Sequence, residues 1–248
     1  MTEKRPFIGP LTHIPDDIPQ GQAEAKGISL DCCPSSSMLS LGIMVIVGLT
    51  GGLGAGKTTI ASLFQVCGAT IIDADQLTRD VVKPGKPAWK EIKRQFGNSV
   101  LHSDKTLNRQ ALAQVVFHNP EKLKILQDII HPRVAREQAT QTKAIGKANP
   151  QVVIIYEAAL LIEAGAHRRM NHVIVVKADR ATQLSRVCHR DGLTKTEALR
   201  RIRQQMPLRQ KLQYADMVLD GTWPRPRLRL VVKSLYRIYQ NEARQRGL

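Results

Sequence analysis

From residue 44 onward, short β-branched apolar runs alternate with segments whose apolar residues recur every three or four positions. Val45-Ile46-Val47-Gly48-Leu49 is apolar throughout and ends in glycines, which predicts a strand buried on both faces. Ile60, Leu63, Phe64 and Cys67 then fall at helical spacing. Thr70-Ile71-Ile72 predicts a second strand, closed by Asp73-Ala74-Asp75. Residues 76–149 keep a helical period through Ala111, Leu112, Val115 and Val116, and again through Leu123, Leu126, Ile129 and Ile130. Val152–Tyr156, Val173–Val176 and Met217-Val218-Leu219 predict further strands; Leu228, Val231, Val232, Leu235 and Tyr239 mark a closing helix. Strands separated by helices, and too far apart for hairpins, predict a parallel sheet with right-handed crossovers. The expected architecture is a three-layer α/β domain over residues 44–248. Its parallel five-stranded sheet is flanked by helices, with a helical excursion between the second and third strands.

Residues 1–43 follow neither period. Pro10, Pro15, Pro19, Pro34 and the Ser35-Ser36-Ser37 run interrupt regular structure, and so polar a segment cannot bury enough apolar surface to offset chain entropy. The segment reads as a disordered N-terminal extension, or as sequence upstream of a start at Met44. It lacks the ~7–15 continuous apolar residues of a secretory signal, and its acidic residues disagree with a transit peptide. No run reaches the ~18–20 apolar residues that cross a bilayer, so no membrane partner is expected. Four cysteines in 248 residues exclude a disulfide-built scaffold and suggest a reducing, cytoplasmic setting.

Charge changes the picture more. The chain has 37 Lys and Arg against 21 Asp and Glu, a net +16. Residues 1–43 hold three basic and five acidic residues, so the remaining 205 carry +18. The surplus therefore belongs to the folded part, and it points to anionic partners such as nucleic acid or nucleotide phosphates. Aromatic residues make up only 4%, leaving few base-stacking platforms, so a nucleic-acid-stimulated ATPase is the weaker reading.

Gly51-Gly52-Leu53-Gly54-Ala55-Gly56-Lys57-Thr58 matches G-x-x-x-x-G-K-[ST] between a buried strand and an amphipathic helix. Glycines let successive N–H groups converge on phosphates, aided by the helix N-terminus. Gly52, Leu53, Gly54, Ala55, Gly56 and Thr59 are thus candidate ATP contacts beside Lys57, which reaches for the β- and γ-phosphates. The Thr58 hydroxyl is placed to hold Mg²⁺. A dinucleotide fingerprint would need glycine where Lys57 stands. The motif sets the phosphoryl donor, yet GTPases, ATPases and small-metabolite kinases all share it.

Asp73-Ala74-Asp75 ends the second strand, on the side where open α/β sheets bind ligands. A carboxylate there can orient an acceptor hydroxyl and take its proton, or it can cap a helix. Glu157 ends the third strand, where it can hold magnesium or stand as an ordinary exposed acid. Between Arg186 and Lys211 eight basic residues face only Asp191 and Glu197. We read this as a basic lid over residues 186–211, with Arg186 and Arg190 nearest the transferred phosphoryl group.

Together these pieces resemble the dephospho-coenzyme A kinases over nearly all of residues 44–248. The run from Gly48 to Thr59 is similar to the family's extended phosphate loop, and Asp73-Ala74-Asp75 to its acidic motif. Phe96-Gly97 and Leu107-Asn108-Arg109, followed by Leu112 and Phe117, look like its acceptor-side helices. Ile130-His131-Pro132-Arg133 is similar to another signature, and Gln183-Leu184-Ser185-Arg186 with Arg190-Asp191 to the start of its lid. Arg201-Ile202, Gln205-Met206-Pro207, Lys211 and Ala215-Asp216 continue the likeness. The resemblance implies a P-loop kinase fold and ATP-dependent phosphorylation of the ribose 3′-hydroxyl of dephospho-CoA, giving CoA and ADP, with Mg²⁺ as cofactor. It implies Lys57, Asp75 and Arg190 as catalytic groups, Asp75 as the base, and Asp75, Phe96, Arg109 and His131 on the acceptor. Read without it, Arg109 is a solvated cation and His131-Pro132 a helix end.

Two departures stand out. The family commonly carries Asp-x-Pro-Leu-Leu-Phe-Glu after its third strand, where this chain has Glu157-Ala158-Ala159-Leu160-Leu161-Ile162-Glu163. That bears on the metal role of Glu157. Asp220-Gly221-Thr222 replaces an Asn-containing turn, which bears on contacts to the nucleotide base. A nucleoside monophosphate kinase would explain the phosphate loop but not Arg109 and His131-Pro132.

Overall fold

Buried apolar strands need cover on both faces, and the chain supplies it with helices packed on either side of the sheet. The computed structural model describes residues 44–117 and 119–246, so the extension read over residues 1–43 lies outside them, as does the Phe117 side chain. In chain order the elements are β1 (Val45–Gly51), α1 (Lys57–Val66), β2 (Thr70–Asp73), α2 (Ala74–Val81), α3 (Pro87–Phe96), α4 (Arg109–Phe117) and α5 (Pro120–Ala148). They continue as β3 (Val153–Glu157), β4 (His172–Lys177), α6 (Arg180–Asp191), α7 (Lys195–Arg203), α8 (Leu208–Lys211), β5 (Met217–Asp220) and α9 (Arg225–Gln245). The five strands are all parallel, in the order β2-β3-β1-β4-β5. Central β1 pairs Val47 with Ile155 on one side and Gly48 with Val173 on the other.

Successive strand residues point to opposite faces, and both faces are dry. On one, Val47, Leu49, Ile155 and Ile174 pack with Ile60 and Phe64 of α1 and with Leu228, Val232 and Leu235 of α9. On the other, Ile154, Tyr156 and Val175 pack with Leu77 of α2 and with Leu161 and Met170. Each such Leu, Ile or Phe stabilises the fold by ~1.5–3 kcal/mol, which explains why the strand runs are apolar rather than alternating. The helical excursion carries a third core of its own, built from Val82, Ala88, Ile92, Val100, Leu112, Val116 and Ile129.

One expected boundary is overturned. His131-Pro132 does not end a helix, because α5 runs through Pro132 for 29 residues. A mid-helix proline removes one N–H and costs ~3 kcal/mol in isolation. Here α5 packs against α2, α3 and α4, and Arg133 folds its guanidinium back onto the Ile129 carbonyl and across to Glu91 of α3. Tertiary packing outweighs the local break. Among the described residues no helix is long and apolar enough to cross a membrane.

Candidate functional site

The C-terminal ends of β1, β2 and β3 open onto one crevice, where the strand order reverses around β1. The Gly51–Thr58 loop bridges β1 and α1 there. Gly54 holds φ near +75°, and a Cβ on it would lie 2.7 Å from the Gln183 carbonyl, so only glycine fits. The loop ends at Gly56, which caps α1 without any side-chain hydrogen bond, and the first turn of α1 contains no acid. The N–H groups at this helix start are therefore left for an anion, as the motif requires.

Lys57 is half-buried and donates to the carbonyls of Gly51 and Gly52, both at 3.2 Å. Burial pushes its ammonium below the usual lysine range; Lys211 and Arg190 add to that, while Glu157 and Asp75 oppose it. Thr58 donates its hydroxyl proton to Glu157 Oε1 at 2.8 Å. Burial pushes the Glu157 carboxyl above its ordinary value, against the Thr58 hydrogen bond and the charge of Lys57. The two groups proposed to touch the metal thus meet, and Glu157 is half-buried rather than an ordinary exposed acid.

The acidic motif resolves into two roles. Asp73 caps α2, its Oδ1 accepting the N–H groups of Asp75 at 2.8 Å and Gln76 at 3.2 Å. The exposed Asp75 carboxylate, in the first turn of α2, is consequently free of capping work. Its charge acts on Lys57 and on Arg109 of α4. Burial pushes the Arg109 guanidinium down, with neighbouring Arg79 adding to the effect and Asp75 opposing it. Arg79 escaped the sequence reading because an arginine on an amphipathic helix looks solvated.

Phe96 and His131 are not drawn into this cluster. Phe96 packs against the core of the helical excursion. His131 sits exposed on α5, its imidazole pushed down by partial burial, with Asp128 opposing that shift. Among the described residues no hydrogen bond or ion pair joins either to Asp75 or Lys57.

The basic segment divides. Arg186 of α6 clamps the phosphate loop, donating to the Gly54 carbonyl at 3.3 Å and the Gly221 carbonyl at 2.9 Å. A Cβ on Gly221 would come within 1.9 Å of the Ala55 carbonyl, so the turn that departs from the family pattern is packed directly under the loop. Arg190 makes a bidentate pair with Asp191, at 2.7 and 3.1 Å, yet its charge still acts on Lys57.

Lys211 stands apart from the other cations of residues 186–211: its side chain is 1% exposed and fixed to Glu163 at 2.9 Å and to the Ala159 carbonyl at 2.8 Å. Glu163 also accepts the Met206 N–H. This anchor presents Gln205, whose Oε1 accepts the Leu53 N–H of the phosphate loop at 2.7 Å. Gln205 lies inside a run that resembles the family and Glu163 ends the run that departs from it, but spacing alone assigns neither a task. Gln205, Lys211, Arg180 and Arg203 also line a cavity of about 430 Å³ beside Gly52.

Comparison with known proteins completes this picture. A family model described as dephospho-CoA kinase matches residues 45–223. A dephospho-CoA kinase of Geobacter metallireducens is 45% identical over 179 residues, covering 72% of this chain and 88% of that protein. One from Leifsonia xyli is 41% identical over 177 residues, covering 71% and 89%. A solved protein of Thermus thermophilus superposes with a TM-score of 0.69 at 32% identity, covering 78% of this chain and 97% of that one.

Proposed function

Because the chain belongs to the dephospho-CoA kinase family, we propose that it moves the γ-phosphoryl group of ATP to the ribose 3′-hydroxyl of dephospho-CoA, releasing CoA and ADP. It is a phosphotransferase with a P-loop kinase fold. The observation that carries the residue assignment is the division of labour in the acidic motif. Asp73 satisfies the helix N–H groups, which leaves Asp75 with its charge between Lys57 on the donor side and Arg109 on the acceptor side.

In this reading the loop N–H groups and Lys57 hold the donor phosphates, and Asp75 aligns the 3′-hydroxyl. The oxygen–phosphorus bond to the acceptor forms as the β–γ bridge breaks, and the hydroxyl proton passes to Asp75. Arg79 and Arg109 hold the acceptor's diphosphate in this reading, and Phe96 and His131 widen that surface on the helices of residues 76–149. Arg186 steadies the loop, while Arg190, once it leaves Asp191, covers the departing charge. Residues 186–211 act as a lid hinged on the Lys211 anchor and exclude water that would otherwise hydrolyse ATP. A cytoplasmic setting accords with ATP as donor and with free Cys67 and Cys188.

The hydroxyl of Thr58 and the carboxylate of Glu157 form a hard-oxygen pair suited to Mg²⁺, which commonly takes one or two protein ligands and completes its shell with phosphates and water. When bound, Mg²⁺ would neutralise charge on the β- and γ-phosphates. Glu157→Gln should therefore raise the Mg²⁺ concentration needed for half-maximal turnover by about ten- to a hundredfold. An unchanged Mg²⁺ titration would return Glu157 to an ordinary strand-end acid.

The direct test is ADP release by the purified chain with dephospho-CoA, adenosine, AMP or nucleic acid supplied separately. Turnover is expected with dephospho-CoA alone. A rate with dephospho-CoA no higher than the blank would reject the proposed substrate.

A further inference from the structure

The outward face of α9 takes no part in the cleft. Leu228, Val232, Leu235, Tyr239 and Ala243 turn inward to the core. At ~100° per residue the opposite side carries Leu230 at its apex, Arg229, Lys233 and Arg237 on one flank, and Ile238 on the other. Leu230 is 66% exposed and Ile238 56%. Val66, at the end of the adjoining α1, is 83% exposed. It lies on the cationic flank, because the turn after it at Gly68 abuts the Tyr236 hydroxyl of α9. The helix contains one acid, Glu242, and that carboxylate is engaged by His172 and Arg246. Single exposed aliphatic residues are ordinary; three of them set among cations on one face call for a partner both anionic and apolar.

We propose that this face docks reversibly on anionic phospholipid surfaces, the cations meeting headgroup phosphates while Val66, Leu230 and Ile238 enter the headgroup–acyl boundary. Nucleic acid fits less well, since it rewards exposed aromatic rings. Here Tyr239 is buried, Tyr236 half-buried, and Trp223 at the foot of the helix has Arg227 over its ring at 4.4 Å. The face lies beside the sheet, whereas the cleft opens at the strand ends, so a docked enzyme keeps its substrates accessible. Sequence alone predicts no membrane partner, because a folded helix that hides its apolar side in the core leaves no membrane signature in hydropathy.

The test is sedimentation of the full chain with vesicles of phosphatidylcholine alone or mixed with phosphatidylglycerol. Pelleting is expected only with the anionic vesicles, and added salt should reverse it. Combined Arg229→Gln, Lys233→Gln and Arg237→Gln should lower partitioning roughly a hundredfold, at about fivefold per cation, with kinase turnover unchanged. Leu230→Ser with Ile238→Ser should weaken the same binding at unchanged charge. No pelleting with anionic vesicles would overturn the proposal, as would undiminished binding by the serine variant. RNA displacing the protein from vesicles would assign the face to nucleic acid instead.

Discussion

Asp75→Asn is expected to lower kcat by about 10²–10⁴-fold while ATP still binds, the range a general base contributes to proton transfer. The substitution keeps size and hydrogen bonding but removes the site that receives the hydroxyl proton. It should leave the fold intact, because Asp73 and not Asp75 accepts the N–H groups at the start of α2. Asp73→Ala provides the contrast. It should cost about 1 kcal/mol of stability through the lost cap. Single-turnover kinetics with nucleotide-binding titrations separate the two effects. Turnover in Asp75→Asn near that of the unaltered enzyme would remove Asp75 from the chemistry.

Much of this was legible in the sequence because it rests on local rules. Central strands β1, β3 and β4 appear as β-branched apolar runs, since parallel strands buried on both faces leave no room for polar alternation. The phosphate loop is legible because its glycines answer to backbone geometry within eight residues. Pro132 misleads for the opposite reason: its local cost is offset by contacts with α2, α3 and α4, distant in sequence. The division between Asp73 and Asp75 was also hidden, because two aspartates in one turn compete for the same cap until side-chain rotamers are known. Gln205 accepts the N–H of Leu53, 152 positions away along the chain, and Arg79, 30 positions before Arg109, repels the charge of that guanidinium. No spacing rule reports a contact of that kind.

Lys211 illustrates the same point energetically, and removing it should have the largest effect on stability. Lysines are rarely buried unless paired, and in sequence this one belongs to a run of cations that suggests a solvated face. Its ammonium instead bonds Glu163 and the Ala159 carbonyl, with the Glu163 side chain only 22% exposed. Lys211→Met keeps the aliphatic volume and leaves a carboxylate and a carbonyl without their cation. Breaking a buried pair in this way costs ~3–5 kcal/mol, and the partial exposure of Glu163 places the expected loss near the lower end, about 3 kcal/mol by denaturant unfolding. Adding Glu163→Leu to Lys211→Met should recover part of that loss, since no unpaired carboxylate remains. Recovery should be incomplete, because the Met206 N–H then exchanges its carboxylate acceptor for water at a cost of roughly 0.5–1.5 kcal/mol. Equal stability of the single and double variants would mean that the pair does not hold the segment. Recovery in stability without recovery of ATP affinity would trace the functional part of the effect to Gln205, which reaches the Leu53 N–H from that anchored turn.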